Sequence, residues 1–247
     1  MKKLMGSILF ICLAMGSIMA QTPALEQVEG AMTQEQMGMV VGEGVTAQSV
    51  FDNYFEAIGG IEAVQAVKTM IYTAEADMGG MIVGYETRNT TKNQFALAIT
   101  VGGNAMQEVK YNGNAGYIVA QGQRTDFDEA QNNDAKMKAQ PFMELVVNNA
   151  TLERLEQLDG KDTYVISYGD SGMEAYFDKM SGLKVKETNK EEQMGQTIET
   201  TTLYSEYQEV NGVKIPHAVT QSMGPREITF LVKEIMINEG VSDADFE

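Results

Sequence analysis

The sequence is poor in the residues that most often carry chemistry. Its 247 residues include one cysteine, Cys12, one histidine, His217, and no tryptophan. A single histidine cannot form a multi-histidine metal site or an H-E-x-x-H zinc helix. A single cysteine excludes an intramolecular disulfide. Because His217 directly follows Pro216 and has no evident catalytic partner in the sequence, we interpret it as a structural residue.

Phosphate-binding loops and spaced carboxylate ligands are also missing. Gly79-Gly80 and Gly102-Gly103 join predicted strands to strands, whereas a nucleotide loop precedes a helix. The acidic groups at residues 126–129 and 243–245 lack the spacing of a calcium loop, and we interpret them as helix caps and solvated turns. We therefore expect no cofactor, no bound metal and no enzymatic activity.

Basic residues are few. Lysine and arginine number 18 against 35 aspartates and glutamates, which gives a formal net charge of −17. A chain of this charge repels phosphate backbones and anionic lipid surfaces, and it has no basic cluster to offset the repulsion. The composition thus argues against nucleic acid as a partner.

A long hydrophobic run is absent, but a short one lies near the start. Lys2 and Lys3 precede the apolar stretch 8–14, and small residues lead to Ala20. This pattern is typical of a secretory signal peptide, which we place at residues 1–20. No later segment approaches the roughly 18 apolar residues of a membrane span. We expect the mature protein to act outside the cytoplasm.

Two further expectations concern the N-terminal region. The stretch 9–12, which ends at Cys12, is similar to a lipoprotein cleavage site, but the bulky Ile11 stands where a small residue is expected. We therefore expect a freely diffusing protein without a lipid anchor at Cys12. Residues 21–45 show no sustained periodicity, and we interpret them as a flexible leader.

One amphipathic helix is predicted to open the folded domain, which we place at residues 46–247. Thr46 is suited to cap it, and Gly59-Gly60 to end it. The apolar residues that would share one face of this helix are Val50, Phe51, Tyr54, Phe55 and Ile58. A second short helical turn, with apolar residues three apart, is predicted over residues 61–67.

The rest of the domain favours antiparallel sheet. Short β-rich runs separated by glycine and asparagine turns indicate about ten strands, and apolar and polar residues alternate clearly over 94–101 and 163–168. The stretch 128–148 interrupts them with two predicted short helices divided by Pro141. Helices segregated from strands in this order indicate an α+β domain, in which one curved sheet is covered on its concave side by helical segments.

Three segments resemble the LolA/LolB-like carriers that sort outer-membrane lipoproteins. They are the opening helix at 51–60, the Tyr-Phe-Asp-x-x-Ser-Gly-Leu hairpin at 175–183 and the Asn-Gly-Val-x-Ile-Pro turn within 207–216. The similarity extends over about 45–247. It implies an incomplete, half-open antiparallel β-barrel of 10–11 strands with a helical lid. The same segments are similar to the accessory domain of insulinase-like envelope zinc peptidases, although the peptidase part is absent.

The resemblance implies a periplasmic, non-enzymatic carrier or chaperone that binds the acyl part of lipoproteins or another amphiphile. The alternative is an interaction module for an envelope partner such as a zinc peptidase. In the family's best-known members a basic side chain holds the lid closed; Arg88, Arg124, Arg154 and Arg226 are the candidates, and Arg88 is the first choice. The residues expected to line the ligand site are Phe51, Tyr54, Phe55, Phe95, Leu97, Ile99, Met143, Tyr164, Ile166 and Phe177.

Overall fold

The computed structural model describes residues 41–193, 196–223 and 226–247. The predicted signal peptide and residues 21–40 of the predicted leader lie outside this part of the chain. The helices are α1 (Ala47–Ile58), α2 (Ile61–Ala66) and α3 (Glu129–Lys138), with single 3-10 turns at Met143–Leu145, Gly169–Ser171 and Asp243–Phe246. The strands are β1 (Thr69–Asp77), β2 (Ile82–Thr90), β3 (Phe95–Val101), β4 (Asn104–Tyr111), β5 (Gly116–Ala120), β6 (Gln123–Asp126), β7 (Ala150–Leu158), β8 (Lys161–Tyr168), β9 (Met173–Asp178), β10 (Lys184–Gln193), β11 (Gln196–Val210), β12 (Val213–Met223) and β13 (Arg226–Ile237).

All thirteen strands belong to one antiparallel sheet. Its order is β6-β5-β4-β3-β2-β1-β13-β12-β11-β10-β9-β8-β7. Two meanders, β1 to β6 and β7 to β13, are joined where β1 pairs with β13. The sheet is not closed, because β6 and β7 form its two edges. The chain crosses from one edge to the other through residues 127–149, which we call the bridging segment.

The strand number corrects the sequence-based expectation of ten to eleven. The difference arises at turns that the sequence pattern did not reveal. Asn93, Gln121 and Asp159 take up φ values of 63°, 52° and 51° and reverse the chain between strands. Asparagine and aspartate tolerate this left-handed region, but glutamine is not a typical turn residue. The short strands β5 and β6 are therefore separated by a turn with only Gly122 as a sequence signal.

Helix α1 forms as the sequence predicts. Thr46 and Ser49 make a capping box, in which the Thr46 hydroxyl accepts from the Ser49 amide at 3.1 Å and the Ser49 hydroxyl accepts from the Thr46 amide at 2.9 Å. The helix ends at Gly59, whose φ is 133°. A Cβ at this position would collide with the carbonyl oxygen of Gly212, so glycine is required where the helix end meets the β11–β12 turn. The five apolar residues predicted for one face are all buried.

The sheet is strongly curved. Phe95 on β3 and Met173 on β9 line the same cavity, although seven strand spacings separate these strands. In a flat sheet this separation would be about 34 Å. The concave face carries the main core, against which α1 packs. The Phe51 ring makes edge contacts with Tyr168 and Phe177, at centroid distances of 6.0 and 5.7 Å.

The bridging segment contains one helix and one 3-10 turn, where the sequence predicts two helices. Helix α3 starts at a capping box formed by Asp128 and Gln131, and its end is fixed to β2 because the Asn89 side chain donates to the Lys138 carbonyl at 2.9 Å. After Pro141 only the turn Met143–Leu145 forms. Too few residues separate Pro141 from the β-branched pair Val146-Val147 for a helix to propagate.

Candidate functional site

A cavity of about 270 Å³ lies between the concave face of the sheet, α1 and residues 138–144 of the bridging segment. Strands from both meanders contribute to its wall, so the curvature of the sheet creates it. The apolar part of the wall consists of Met70, Phe95, Pro141, Phe142, Met143, Met173, Ile215, Pro216, Val219 and Phe230. The methionines give this wall flexible, polarisable side chains that adapt to ligands of varied shape.

The residues expected to line a ligand site fall into three groups. Tyr54, Phe95 and Met143 line the cavity. Tyr164 is half-buried and packs against the core without reaching the cavity wall. The remaining six are buried in the core around the cavity, with exposures of 4% or less: Phe51, Phe55, Leu97, Ile99, Ile166 and Phe177.

A charged cluster at one side of the cavity joins the bridging segment to the sheet. It consists of Glu144 from the bridging segment and Lys184 and Glu187 from β10. Lys184 Nζ donates to Glu144 Oε1 at 2.7 Å and lies 3.4 Å from Glu187 Oε2. The Glu144 side chain is 1% exposed and that of Lys184 13%. Ions this buried remain charged only when each has partners, and the cluster supplies them.

Tyrosine hydroxyls complete the hydrogen bonding of the cluster. Tyr168 donates to Glu144 Oε1 at 2.9 Å, and Tyr204 donates to Glu187 Oε2 at 2.9 Å. Tyr207 donates to the Lys184 carbonyl at 2.7 Å, which fixes the start of β10. One oxygen of each carboxylate thus accepts from two donors, which come from β8, β10 and β11, so the sheet determines the position of the cluster.

The electrostatics of the cluster favour its charged form. Burial opposes the ionisation of Glu144, but the Lys184 ammonium at 2.7 Å and the Tyr168 hydroxyl outweigh it and hold the pKa of Glu144 below its usual value. Burial likewise opposes the charge on Lys184. Glu144 and Glu187 outweigh that effect, and the pKa of Lys184 lies well above its usual value.

Arg88, the first choice for the basic side chain of the lid, lies elsewhere. It pairs with Glu86 at 2.8 Å and is 4.0 Å from Asp245, next to the C-terminal 3-10 turn. Neighbouring β2 residues Tyr85, Thr87 and Asn89 line the cavity, so strand alternation directs Arg88 to the opposite face. The expectation for Arg88 is thus wrong, and a lysine, Lys184, contacts the bridging segment.

Two sequence signals could have indicated the charged cluster. Glu144 is the single charged residue in the apolar run 141–147, so its side chain is expected among buried neighbours and not on the surface. Lys184 directly follows the Ser-Gly-Leu turn of the hairpin that carries the family resemblance. Each residue has an ordinary surface interpretation by itself. Their pairing across forty positions depends on how the bridging segment crosses the sheet, which no local pattern encodes.

Two negative findings apply to residues 41–193, 196–223 and 226–247. No group of three or more histidine, cysteine, aspartate or glutamate side chains there is arranged to hold a metal ion. Within the same ranges, no helix has the length and apolar character needed to cross a membrane.

Similar proteins are found through structure. No protein-family model and no curated protein matches the sequence. A LolA superfamily protein from Nitrosomonas europaea superposes with a TM-score of 0.57 at 15% identity, covering 82% of this chain and 98% of that one. A DUF1329 family protein from Desulfovibrio piger superposes with a TM-score of 0.52 at 12% identity, covering 81% and 96%. Similarity at these identities concerns the fold alone, and this chain has a LolA-like fold.

Proposed function

We propose that this protein is a non-enzymatic carrier or chaperone of the bacterial envelope. It binds the acyl part of a lipoprotein, or another amphiphile, in the cavity of its curved sheet. The observation that carries the proposal is the cavity of about 270 Å³ on the concave face, whose wall combines methionine and aromatic side chains with polar groups. Concave, largely apolar cavities with a few placed polar groups are the usual sites for small ligands.

Export fits this role. Residues 1–20 contain two lysines near the N-terminus, then a short apolar run, and then small residues up to Ala20. This pattern supports secretion into the periplasm. An acyl chain in that compartment must be shielded from water during transfer. Each methylene that moves from water into the cavity contributes about 0.8 kcal/mol, so binding needs no covalent step.

The bridging segment is the proposed lid. Its residues 138–144 border the cavity, and they are attached to the sheet near both ends. At one end the Asn89 side chain and the Thr90 amide donate to the Lys138 and Ala139 carbonyls, and at the other end Glu144 pairs with Lys184 and accepts from Tyr168. A ligand that enters between the segment and the sheet replaces apolar lid contacts with acyl contacts. These attachments keep the lid in place over the bound chain.

The test compares two tryptophan substitutions at neighbouring positions of β11. Thr202 lines the cavity, whereas Leu203 is 37% exposed and points to the opposite face. We expect wild type purified from the envelope under native conditions to contain lipid or acylated peptide by mass spectrometry. Thr202→Trp should reduce the bound amount severalfold by filling the cavity, and Leu203→Trp should leave it unchanged. Lipid-free wild type that takes up no lipid from vesicles would contradict the proposal.

The second candidate is an interaction module for an envelope protein, such as a zinc peptidase. Exposed apolar residues at the tips of the β1–β2 and β3–β4 hairpins favour it. Met78, Ile82 and Met106 are 40%, 41% and 44% exposed, and both tips lie at the same end of the sheet. Under this candidate, Met106→Asp should abolish co-purification of one defined protein while the lipid content stays the same.

A further inference from the structure

A second cavity, of about 230 Å³, lies on the convex face of the sheet beside the C-terminal 3-10 turn. We call it the convex recess. The strand residues whose side chains line it are Glu86, Arg88, Ala96, Ala98, Glu108 and Lys110. The residues between them in β2 and β3 face the concave side, so the thickness of the sheet separates the convex recess from the cavity described above.

The strand register sorts the charges of the convex recess into two rows. Arg88, Ala96 and Lys110 lie side by side on β2, β3 and β4, and we call them the cationic row. Two residues further along each strand lies the acidic row, which consists of Glu86, Ala98 and Glu108. The two rows are about 7 Å apart, and β2 and β4 are about 9.5 Å apart. Because the central residue of each row is alanine, the space between the charged side chains stays open.

The Arg88 guanidinium contains a buried donor without an acceptor. Its Nη1 pairs with Glu86 at 2.8 Å, whereas its Nε atom is buried and has no hydrogen-bond partner among the described residues. Asp245 Oδ1 lies 4.0 Å from Nε, which is too long for a hydrogen bond. Asp245 is held there by its other oxygen, which accepts from the Ser242 amide and hydroxyl at 2.7 and 3.1 Å. Buried donors nearly always have an acceptor, so a ligand oxygen in the convex recess would supply the missing one.

The opposite strand offers groups of both signs. Lys110 Nζ donates to the Glu247 carbonyl at 2.8 Å, which leaves two of its three N–H groups for a further acceptor. Glu108 is exposed and has no hydrogen-bond or ion-pair partner in the described part of the chain. A solvated carboxylate is ordinary by itself. Here it lies in the same recess as the unpaired Arg88 donor, so a ligand that satisfies both must carry an acceptor and a cation.

The charge balance of the convex recess decides the net charge of that ligand. Three carboxylates, those of Glu86, Glu108 and Asp245, face two cations. This excess, in a chain of net charge −17, opposes the binding of a simple anion. A simple amine would pair with Glu108 but leave Arg88 Nε without an acceptor. A zwitterion without net charge satisfies both rows and meets no such repulsion.

The spacing of the rows decides the kind of zwitterion. An α-amino acid has one carbon between its charged groups and is too short to extend from one row to the other. An ethanolamine phosphodiester has two carbons and an oxygen between its nitrogen and its phosphorus. Its two unesterified oxygens also diverge, so they can accept from Arg88 and Lys110 on opposite sides of the recess.

We infer that the convex recess binds a glycerophosphoethanolamine group, whose phosphate accepts from Arg88 Nε and Lys110 Nζ and whose ammonium donates to Glu108. The group can come from a free molecule or from a lipid headgroup, because the recess contacts only their shared part. This inference does not depend on the proposed function, since the site lies on the other face of the sheet.

The experiment compares four probes by saturation-transfer NMR titration of the full chain at neutral pH. They are sn-glycero-3-phosphoethanolamine, sn-glycero-3-phosphocholine, glycerol 3-phosphate and ethanolamine. The ethanolamine diester should bind at least tenfold more tightly than the others, because choline has no N–H for Glu108 and the last two probes each lack one charge. Glu108→Gln and Arg88→Gln should each weaken it about tenfold, the value of a charge-assisted hydrogen bond. Glu108 is exposed, so its substitution leaves folding intact.

Lys233→Gln is the matched control, because Lys233 pairs with the exposed Glu75 at 3.3 Å outside the convex recess. It should leave all four affinities unchanged. Equal affinity for the ethanolamine and choline diesters, unchanged binding in Glu108→Gln, or no saturable binding of the ethanolamine diester would overturn the inference. Thr202→Trp should not alter this binding, so such a failure would leave the proposed carrier function untouched.

Vesicles identify the source of the group. The full chain is sedimented with vesicles of phosphatidylcholine alone and with vesicles that also contain phosphatidylethanolamine. Retention only by the second kind, lost in Glu108→Gln, assigns the site to a lipid headgroup. Binding of the soluble ethanolamine diester without such retention assigns it to a free molecule.

Discussion

Two ion-pair groups lie close together in the chain and differ in what they connect. Lys184–Glu144 is on the concave side, with side-chain exposures of 13% and 1%. Arg154–Glu174 joins β7 to β9 and has exposures of 35% and 24%. The arginine pair has the better geometry, because two parallel hydrogen bonds of 2.8 and 3.0 Å connect Arg154 to Glu174.

The location of an ion pair matters more for the fold than its hydrogen-bond geometry does. Strands β7 and β9 are already held together through the backbone ladders of β8, so the arginine pair adds little constraint. The bridging segment has no such ladder to β10, so the Lys184–Glu144 pair, together with the Tyr168 hydrogen bond, fixes the position of residue 144. Four substitutions or conditions separate these roles.

Lys184→Met should have the largest effect. It leaves Glu144 buried without its counter-ion, which costs about 3–5 kcal/mol of the free energy of unfolding. Urea denaturation at neutral pH measures the loss. The double variant Lys184→Met with Glu144→Leu should recover most of it, because the fully buried carboxylate is removed with its counter-ion, while Glu187 is 16% exposed and keeps the Tyr204 hydrogen bond. Lys186→Met, which removes an ammonium stacked at 4.5 Å on the Tyr176 ring, is the control. An equal loss in the control would contradict the special role of Lys184.

Tyr168→Phe tests the second donor to Glu144. Removal of the 2.9 Å hydrogen bond should lower the free energy of unfolding by about 1–2 kcal/mol, because Lys184 still neutralises the carboxylate. Tyr164→Phe in the same strand is the matched variant, and it should change stability by less than about 0.5 kcal/mol. A loss in Tyr168→Phe no greater than in Tyr164→Phe would indicate that Glu144 is satisfied by Lys184 alone.

Local elements of this fold could be predicted from the sequence, because their signals are short-range. The cap at Thr46, the apolar face of α1 and the stop at Gly59 all depend on residues within a few positions of one another. The alternation over residues 94–101 likewise identified β3, whose residues Phe95, Leu97 and Ile99 are buried. The turn at Gln121 could not be predicted, because glutamine in the left-handed region is stabilised by its neighbours and not by its own preference.

The candidate site was less predictable for a physical reason. Apolar periodicity identifies buried faces, but it does not distinguish a residue in the core from one that borders a cavity. Phe95 and Leu97 share a pattern, and only Phe95 reaches the cavity. The charged cluster depends on the crossing of the bridging segment, and a lone Glu144 in an apolar run gives its position but not its partner.

Acid should reduce the difference between wild type and Glu144→Gln. The pKa of Glu144 is lowered in the folded protein, so its stabilising contribution is complete above its unfolded pKa of about 4.3 and is lost as the pH falls through the lower folded value. Urea denaturation from pH 7 to pH 3 should show the stability advantage of wild type narrowing below about pH 4.5. An advantage that stays constant to pH 3 would show that folding does not lower the pKa of Glu144.

Arg154→Met should have the smallest effect. Glu174 and Glu156, which the guanidinium contacts, are 24% and 38% exposed, so water solvates both carboxylates once the arginine is removed. The methionine side chain retains packing over the Tyr176 ring, whose centroid lies 5.9 Å from the guanidinium carbon. We expect a loss of about 0.2–1 kcal/mol in urea denaturation, which decreases further at high salt. A loss as large as that of Lys184→Met would contradict this difference, because a partly exposed pair within one sheet would then stabilise the fold as much as the buried pair that holds the bridging segment.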